Sequence, residues 1–157
     1  TLAAFKQLWA EGENINLVIV GKEGWMVEKI IEQLRQHPEL GKRLFWLKDI
    51  DDELLKKTYI ASSCLLAASE GEGFGLPLIE AAQNSLPIIA RDIKVFREVA
   101  GENAYYFKGI LPEELASAIK NWLSLYKKSE QPTSDNLPWL TWKDSAQQLL
   151  NAILKDK

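Results

Sequence analysis

Apolar positions along this chain fall into two alternating rhythms. Leu2, Phe5, Leu8 and Trp9 recur three and four apart, which predicts an amphipathic helix over residues 1–11. After the turn Gly12-Glu13-Asn14, residues 15–20 form a nearly unbroken apolar run, the mark of a strand covered on both faces. Gly21-Lys22-Glu23-Gly24-Trp25 follows, then a helix over 26–36 with Val27, Ile30, Ile31 and Leu34 inward. Leu44-Phe45-Trp46-Leu47 reads as a second strand, and Asp51 as the N-cap of a helix carrying Leu54, Leu55, Tyr59 and Ile60 toward a third strand at 64–67. Residues 77–83 predict a helix, 86–90 a strand, 95–100 a short helix and 104–107 a fifth strand. Pro112 opens a helix through about residue 126. Thr141 caps a last one over 143–154, with Ala146, Leu149, Leu150 and Ile153 as its inner face. The polar residues 127–138 connect the two. Strands alternating with helices at this spacing predict one α/β domain over 1–157, a Rossmann-like parallel sheet flanked by helices. Ligands bind such sheets beyond the C-terminal strand ends.

One stretch stands there with chemistry in it. The run Cys64-Leu65-Leu66-Ala67 leads into Ser69-Glu70-Gly71-Glu72-Gly73-Phe74-Gly75-Leu76 and then a helix with Pro77 in its first turn. Strand, glycine-rich loop and helix start aim unpaired N–H groups and the positive end of a helix dipole at an anion. Gly73 and Gly75 let backbone approach a ligand with no Cβ between them. Glu72 and Glu80 would repel a phosphate, but a carboxylate is a strong acceptor for hydroxyls. Phosphate in the middle with hydroxyls at both ends describes a nucleotide-sugar.

Composition narrows the rest. With 157 residues, 46% hydrophobic and 26% charged, the chain has the make-up of an ordinary globular domain. A net charge of −3 and no basic stripe speak against a nucleic-acid partner. The single cysteine, Cys64, excludes an intrachain disulfide and any cysteine-based metal site, and its apolar neighbours make it a core residue. The only histidine, His37, lies just before Pro38 at the end of a polar helix, and a Ser-His-Asp triad or a histidine metal cluster would need more than that. No apolar run approaches a membrane span. The chain starts inside a helical pattern without an initiating Met and is expected to be part of something longer.

Rival motifs are weaker. The glycines at 71, 73 and 75 lack the dinucleotide spacing and follow a middle strand. Gly21-Lys22 follows a strand without the rest of a P-loop, although Lys22 retains the reach to meet a phosphate as a point charge. Asp49-Ile50-Asp51 has the form of a short acidic metal motif, but acids belong at a helix start in any case. Trp139 and Trp142 are expected to pack the last helix onto the body, with a sugar platform as the other reading. Glu72 and Glu80 as a glycosidase acid–nucleophile pair would normally sit on different elements.

On these residues the chain resembles the C-terminal half of retaining GT-B glycosyltransferases of the large family 4. The resemblance centres on Glu72-Gly73-Phe74-Gly75-Leu76-Pro77-Leu78-Ile79-Glu80-Ala81, with seven residues between the glutamates. It extends to Leu17-Val18-Ile19-Val20-Gly21, the helix start at Asp51-Asp52-Glu53-Leu54, Pro87-Ile88-Ile89-Ala90 and Val95-Phe96-Arg97-Glu98-Val99. Residues 88–107 look most like bacterial enzymes that add mannose or rhamnose to surface polysaccharides. The resemblance implies that this half binds the donor: GDP-mannose, a UDP-hexose or dTDP-rhamnose. Backbone at Gly73, Phe74, Gly75 and Leu76 would hold diphosphate and sugar, and Glu72 would be the catalytic residue at the sugar hydroxyls. Glu80 would accept from the ribose, the backbone near Lys48 would flank the base, and Gly21 and Lys22 would complete the donor site. It further implies metal-independent, retaining transfer of a hexose with no cofactor, and a glycan or lipid-linked acceptor held by a separate N-terminal domain. A cytoplasmic location is expected, with peripheral contact at the inner membrane face left open. Ser85 stands where the family has a glycine, Lys94 where close relatives often have proline, and the strand carrying the diphosphate-neutralising Arg and Lys is missing. The isolated chain is therefore expected to fold but to catalyse little. A GT-B-like module without chemistry, serving as a binding or regulatory domain, is the alternative.

Overall fold

The computed structural model describes residues 1–24 and 28–155. Seven helices and five strands alternate in it: α1 (Leu2–Ala10), β1 (Leu17–Val20), α2 (Glu28–Arg35), β2 (Leu44–Leu47), α3 (Asp52–Ala61), β3 (Leu65–Ala67), α4 (Leu76–Gln83), β4 (Ile88–Arg91), α5 (Lys94–Ala100), β5 (Tyr105–Phe107), α6 (Pro112–Lys127) and α7 (Trp142–Lys155). Every strand pair is parallel, as continuous apolar strands joined by helices require. The expected start of the second helix, including Val27, lies outside the described residues.

One sheet was expected and two are found. β1 pairs with β2, β4 lies between β3 and β5, and among the described residues no ladder joins the two groups. A shared core makes up for it. Leu2, Phe5, Leu8 and Trp9 of α1 and Leu115, Ile119 and Trp122 of α6 pack with Leu17, Leu44, Ile89 and Phe107 from both sheets. A second core lies on the other face of the three-stranded sheet, where Leu78, Ala81 and Ala82 of α4 and Phe96 and Ala100 of α5 meet Ala67, Ile88 and Ala90. β4 is therefore buried along its whole length. This sheet is covered on both sides, as read from the sequence.

β1 departs from that reading. Leu17 and Ile19 belong to the α1–α6 core, while Val18 and Val20 are exposed. Among the described residues of α2, only Leu34 is buried. α7 departs further. Ala146, Leu149, Leu150 and Ile153, the expected inner face, are all exposed, and so are Trp139 and Trp142. None of these residues joins either core: α1 and α6 fill one and α4 and α5 the other. Its start is as expected: Thr141 Oγ1 accepts from the Asp144 N–H at 3.1 Å. The segment ahead of it is tied down by Ser134, whose Oγ donates to the Leu86 carbonyl at 2.8 Å, and by buried Leu137.

Ser85 takes the place of the expected glycine with its backbone left-handed at φ +50°. The Ser85 N–H donates to the Ala82 carbonyl and the Leu86 N–H to that of Ala81, both at 3.0 Å, closing α4 in a Schellman turn. A Cβ in that region costs about 1–2 kcal/mol, partly offset by the entropy a glycine loses on folding. Ser85→Gly is expected to stabilise the fold by about 0.5–1 kcal/mol, read as a higher urea midpoint at unchanged slope.

Candidate functional site

The site is built on the β3–α4 connection. Arg91, buried at the end of β4, reaches over to it: Nε and Nη2 donate to the Ala68 carbonyl and Nε also to that of Ser69, at 3.0–3.2 Å. The guanidinium lies 5.0 Å from the centroid of the Phe107 ring. A cation held this way fixes where the strand stops and the loop begins. Sequence reading took the apolar run to end at Ala90 and passed over Arg91; a charge closing a buried strand was the available signal.

The loop ends at Gly75, the N-cap of α4, left-handed at φ +81°. A Cβ there would lie 3.4 Å from Phe96 Cδ1 and 3.8 Å from Val99 Cγ2, so α5 forms the floor beneath the helix start. Gly73 has nothing within 4 Å of its Cβ direction and faces open space. Gly75 thus shapes the turn, and Gly73 leaves an approach clear. Pro77 sits in the first turn of α4, and Gly75 supplies no side chain to cap it, which leaves the helix N-terminus open for an anion. Phe74 and Leu76 are exposed beside it.

The two glutamates differ in setting. Glu72 is exposed and bends onto its own loop, accepting from the Gly73 N–H at 3.1 Å. Glu80 is half-buried, one turn into α4, and its Oε2 accepts from the Tyr59 hydroxyl of α3 at 2.7 Å. Burial, and after it the Glu80 carboxylate, pushes the Tyr59 phenol up, so it stays a donor throughout the neutral range. Tyr59 and Glu80 are 21 residues apart, and only a partner beyond the local pattern reveals the pair.

Gly21, Lys22 and Lys48 come together at the ends of β1 and β2. The Gly21 N–H donates to the Leu47 carbonyl at 3.0 Å, and Trp46 Nε1 donates to the Gly21 carbonyl at 3.0 Å. Lys48 Nζ donates to Glu23 at 2.9 Å and lies 4.0 Å from the Trp46 ring centroid; Lys22 pairs with Asp49 at 3.1 Å. Hydrogen bonds from Lys48 and then Arg35 hold the Glu23 carboxyl below its ordinary range. Both lysines therefore have carboxylate partners that an incoming phosphate would have to displace. Among the described residues, no hydrogen bond or ion pair links this group to the Glu72–Glu80 loop. Asp51 caps α3 through the Leu54 N–H at 2.8 Å, the structural role expected of it.

A cleft of about 370 Å³ opens beyond the ends of β4 and β5, lined by Glu70, Arg91, Asp92, Ile93, Lys108, Gly109 and Ile110. It meets the loop at Glu70. The described residues contain no group of three or more His, Cys, Asp or Glu placed to hold a metal ion. His37 is buried, packed 5.5 Å from the Trp9 ring. Cys64 packs against the α1–α6 core, where burial pushes its thiol up to about 12. At pH 8 its thiolate fraction is therefore well below that of an ordinary cysteine. Iodoacetamide is expected to leave the native protein unlabelled on the timescale that labels it in 6 M urea.

Comparison with known proteins agrees with this architecture. The chain matches the family "Glycosyl transferases group 1" over residues 1–136. It is 57% identical over 153 residues to the serotype-specific mannosyltransferase WbdA of Escherichia coli, covering 98% of this chain and 19% of that relative. It is 31% identical over 116 residues to the O-antigen chain mannosyltransferase RfbU of Salmonella typhimurium, covering 74% and 32%. The chain thus spans about a fifth of the length of WbdA. Among solved structures, the sucrose-phosphate synthase of Thermosynechococcus elongatus superposes with a TM-score of 0.72 at 22% identity, over 99% of this chain and 43% of that one. The C-terminal domain of LpcC from Francisella tularensis gives 0.70 at 22% identity, over 86% and 72%. With its parallel α/β layers, its open α4 start between two glutamates and a family match over most of its length, this chain belongs to the glycosyl transferases group 1 family.

Proposed function

We propose that this chain binds the nucleotide-sugar donor of a hexosyltransferase, with GDP-mannose the favoured donor, as one Rossmann-like domain of a larger enzyme. The observation that carries the reading is the pairing of an uncapped α4 N-terminus at Gly75 with a tethered carboxylate, Glu80, one turn along the same helix. The helix start suits the diphosphate and the carboxylate suits the ribose diol. Glu72, on the open side of the loop, is the group that would meet the sugar hydroxyls. Mannose is favoured because the relatives at 57% and 31% identity are both described as mannosyltransferases.

Transfer in this reading is metal-independent and retaining, and needs no cofactor. The main catalytic task is electrostatic: stabilising the charge that develops on the departing diphosphate. Gly73 to Leu76 contribute through backbone N–H groups, and Lys22 or Lys48 contribute once released from Asp49 or Glu23. The acceptor, a glycan or a lipid-linked saccharide, would be held outside this chain. No described helix is long and apolar enough to cross a membrane; work in the cytoplasm, with peripheral contact at the inner membrane face, completes the proposal.

Calorimetric titration of the protein at its full natural length with GDP-mannose, UDP-glucose and dTDP-rhamnose tests the reading. GDP-mannose is expected to bind most tightly. Binding of none of the three would overturn the donor assignment in favour of a module without transferase chemistry.

A further inference from the structure

Glu80 is held by more than its own helix. A glutamate on an exposed helix face samples several rotamers, and fixing one costs on the order of 1–2 kcal/mol of side-chain entropy. Here the carboxylate is pinned at one oxygen, because Oε2 accepts the Tyr59 hydroxyl at 2.7 Å. The helix beneath it is pinned as well, since Asn84 Nδ2 donates to the Glu80 carbonyl at 2.8 Å. Oε1 has no hydrogen-bond donor among the described residues, and Glu80 remains only half-buried. A carboxylate has about four acceptor sites. With one taken by Tyr59, both on Oε1 and one on Oε2 are left for a ligand.

Tyr59 is itself well placed to be a fixed point. α3 buries none of its residues fully, yet Tyr59 packs against the α4–α5 core and spans to α4. The start of α3 is secured by the Asp51 cap. Two helices are thereby joined by one charge-assisted hydrogen bond.

We propose that Tyr59 is a positioning residue for the nucleotide. By holding Glu80 Oε2 it presents the remaining acceptor sites to two adjacent hydroxyls, so that the site selects a ribonucleotide over its 2′-deoxy counterpart. This rests on the reading of Glu80 as the ribose acceptor. It also orders the donor candidates: GDP- and UDP-sugars offer the full diol, whereas a dTDP-sugar has no 2′-hydroxyl to give.

The test measures affinities of GDP, UDP and their 2′-deoxy forms for the full natural-length protein and its Tyr59→Phe variant, using whichever base binds more tightly. The wild type is expected to prefer the ribonucleotide about 10-fold, the effect of one hydrogen bond to a charged acceptor. In Tyr59→Phe, which keeps the ring and its packing, that preference is expected to fall to within about 3-fold while affinity for the 2′-deoxy nucleotide hardly moves. Retained binding of the 2′-deoxy nucleotide also reports that the variant is folded. A preference unchanged in Tyr59→Phe would overturn the role of Tyr59 and leave that of Glu80 standing. Parallel loss of both ligands would make Tyr59 structural only and would overturn it too. A wild type that binds both forms equally, or binds neither base, would overturn the ribose reading and the inference with it.

Discussion

Glu80→Ala is expected to weaken nucleoside-diphosphate binding about 10- to 100-fold, the range for hydrogen bonds made to a charged group. The reason is geometric as much as electrostatic. Glu80 lies one turn behind the α4 N-terminus, so a ligand with its diphosphate at Gly75 and Leu76 brings its sugar toward the carboxylate. Because Tyr59 already fixes Oε2, little ordering is left for the ligand to impose. Removal of the side chain loses the acceptor and strands a half-buried phenol as well. Lys22→Ala, which breaks an exposed pair with Asp49 worth about 0–1 kcal/mol of stability, is expected to weaken binding by less, because Lys22 must first leave that carboxylate to meet the diphosphate. Fluorescence or calorimetric titration with GDP and UDP separates the two variants. An affinity unchanged in Glu80→Ala would remove the carboxylate from the binding account.

Phe96→Ala carries a large expected cost to the fold. Phe96 is 1% exposed at the centre of the α4–α5 core, and deleting a buried aromatic ring costs about 3–5 kcal/mol. Domains of this size are stable by about 5–15 kcal/mol, so a large share would be lost. The effect should reach the site. Phe96 Cδ1 stands 3.4 Å from where a Cβ on Gly75 would be, so the cavity opens directly beneath the N-cap of α4. The Tyr106 hydroxyl, which donates to the Phe96 carbonyl at 3.1 Å, ties the same stretch to β5. Urea unfolding is expected to show the full loss in Phe96→Ala and under about 1 kcal/mol in Leu76→Ala, a residue already 43% exposed.

The parts legible in the sequence are those with a local cause. Gly75 and Pro77 announce a turn and a helix start within three residues, and Asp51 caps the helix it precedes. The unbroken apolar character of residues 88–90 foretells a strand buried on both faces. Chemistry that depends on a distant partner was not legible. Nothing at Tyr59 names Glu80, and nothing at Arg91 names the Ala68 and Ser69 carbonyls. Periodicity also says only that a face is apolar, not that something covers it. The stripes on β1 and α7 were read as inward for that reason, and Val18, Val20 and Leu149 proved exposed. The division into two sheets follows the same logic: each strand is correctly formed, but pairing is decided by neighbours far along the chain.

The central claim is that the β3–α4 loop and Glu80 form the donor site. A crystal structure of the full natural-length protein with GDP-mannose tests it most directly. The account predicts the diphosphate against the N–H groups of Gly73 to Leu76 and the ribose hydroxyls within 3.2 Å of Glu80 Oε1, the upper end of hydrogen-bond distance. Nucleotide bound elsewhere, with Glu80 touching only Tyr59, would contradict it.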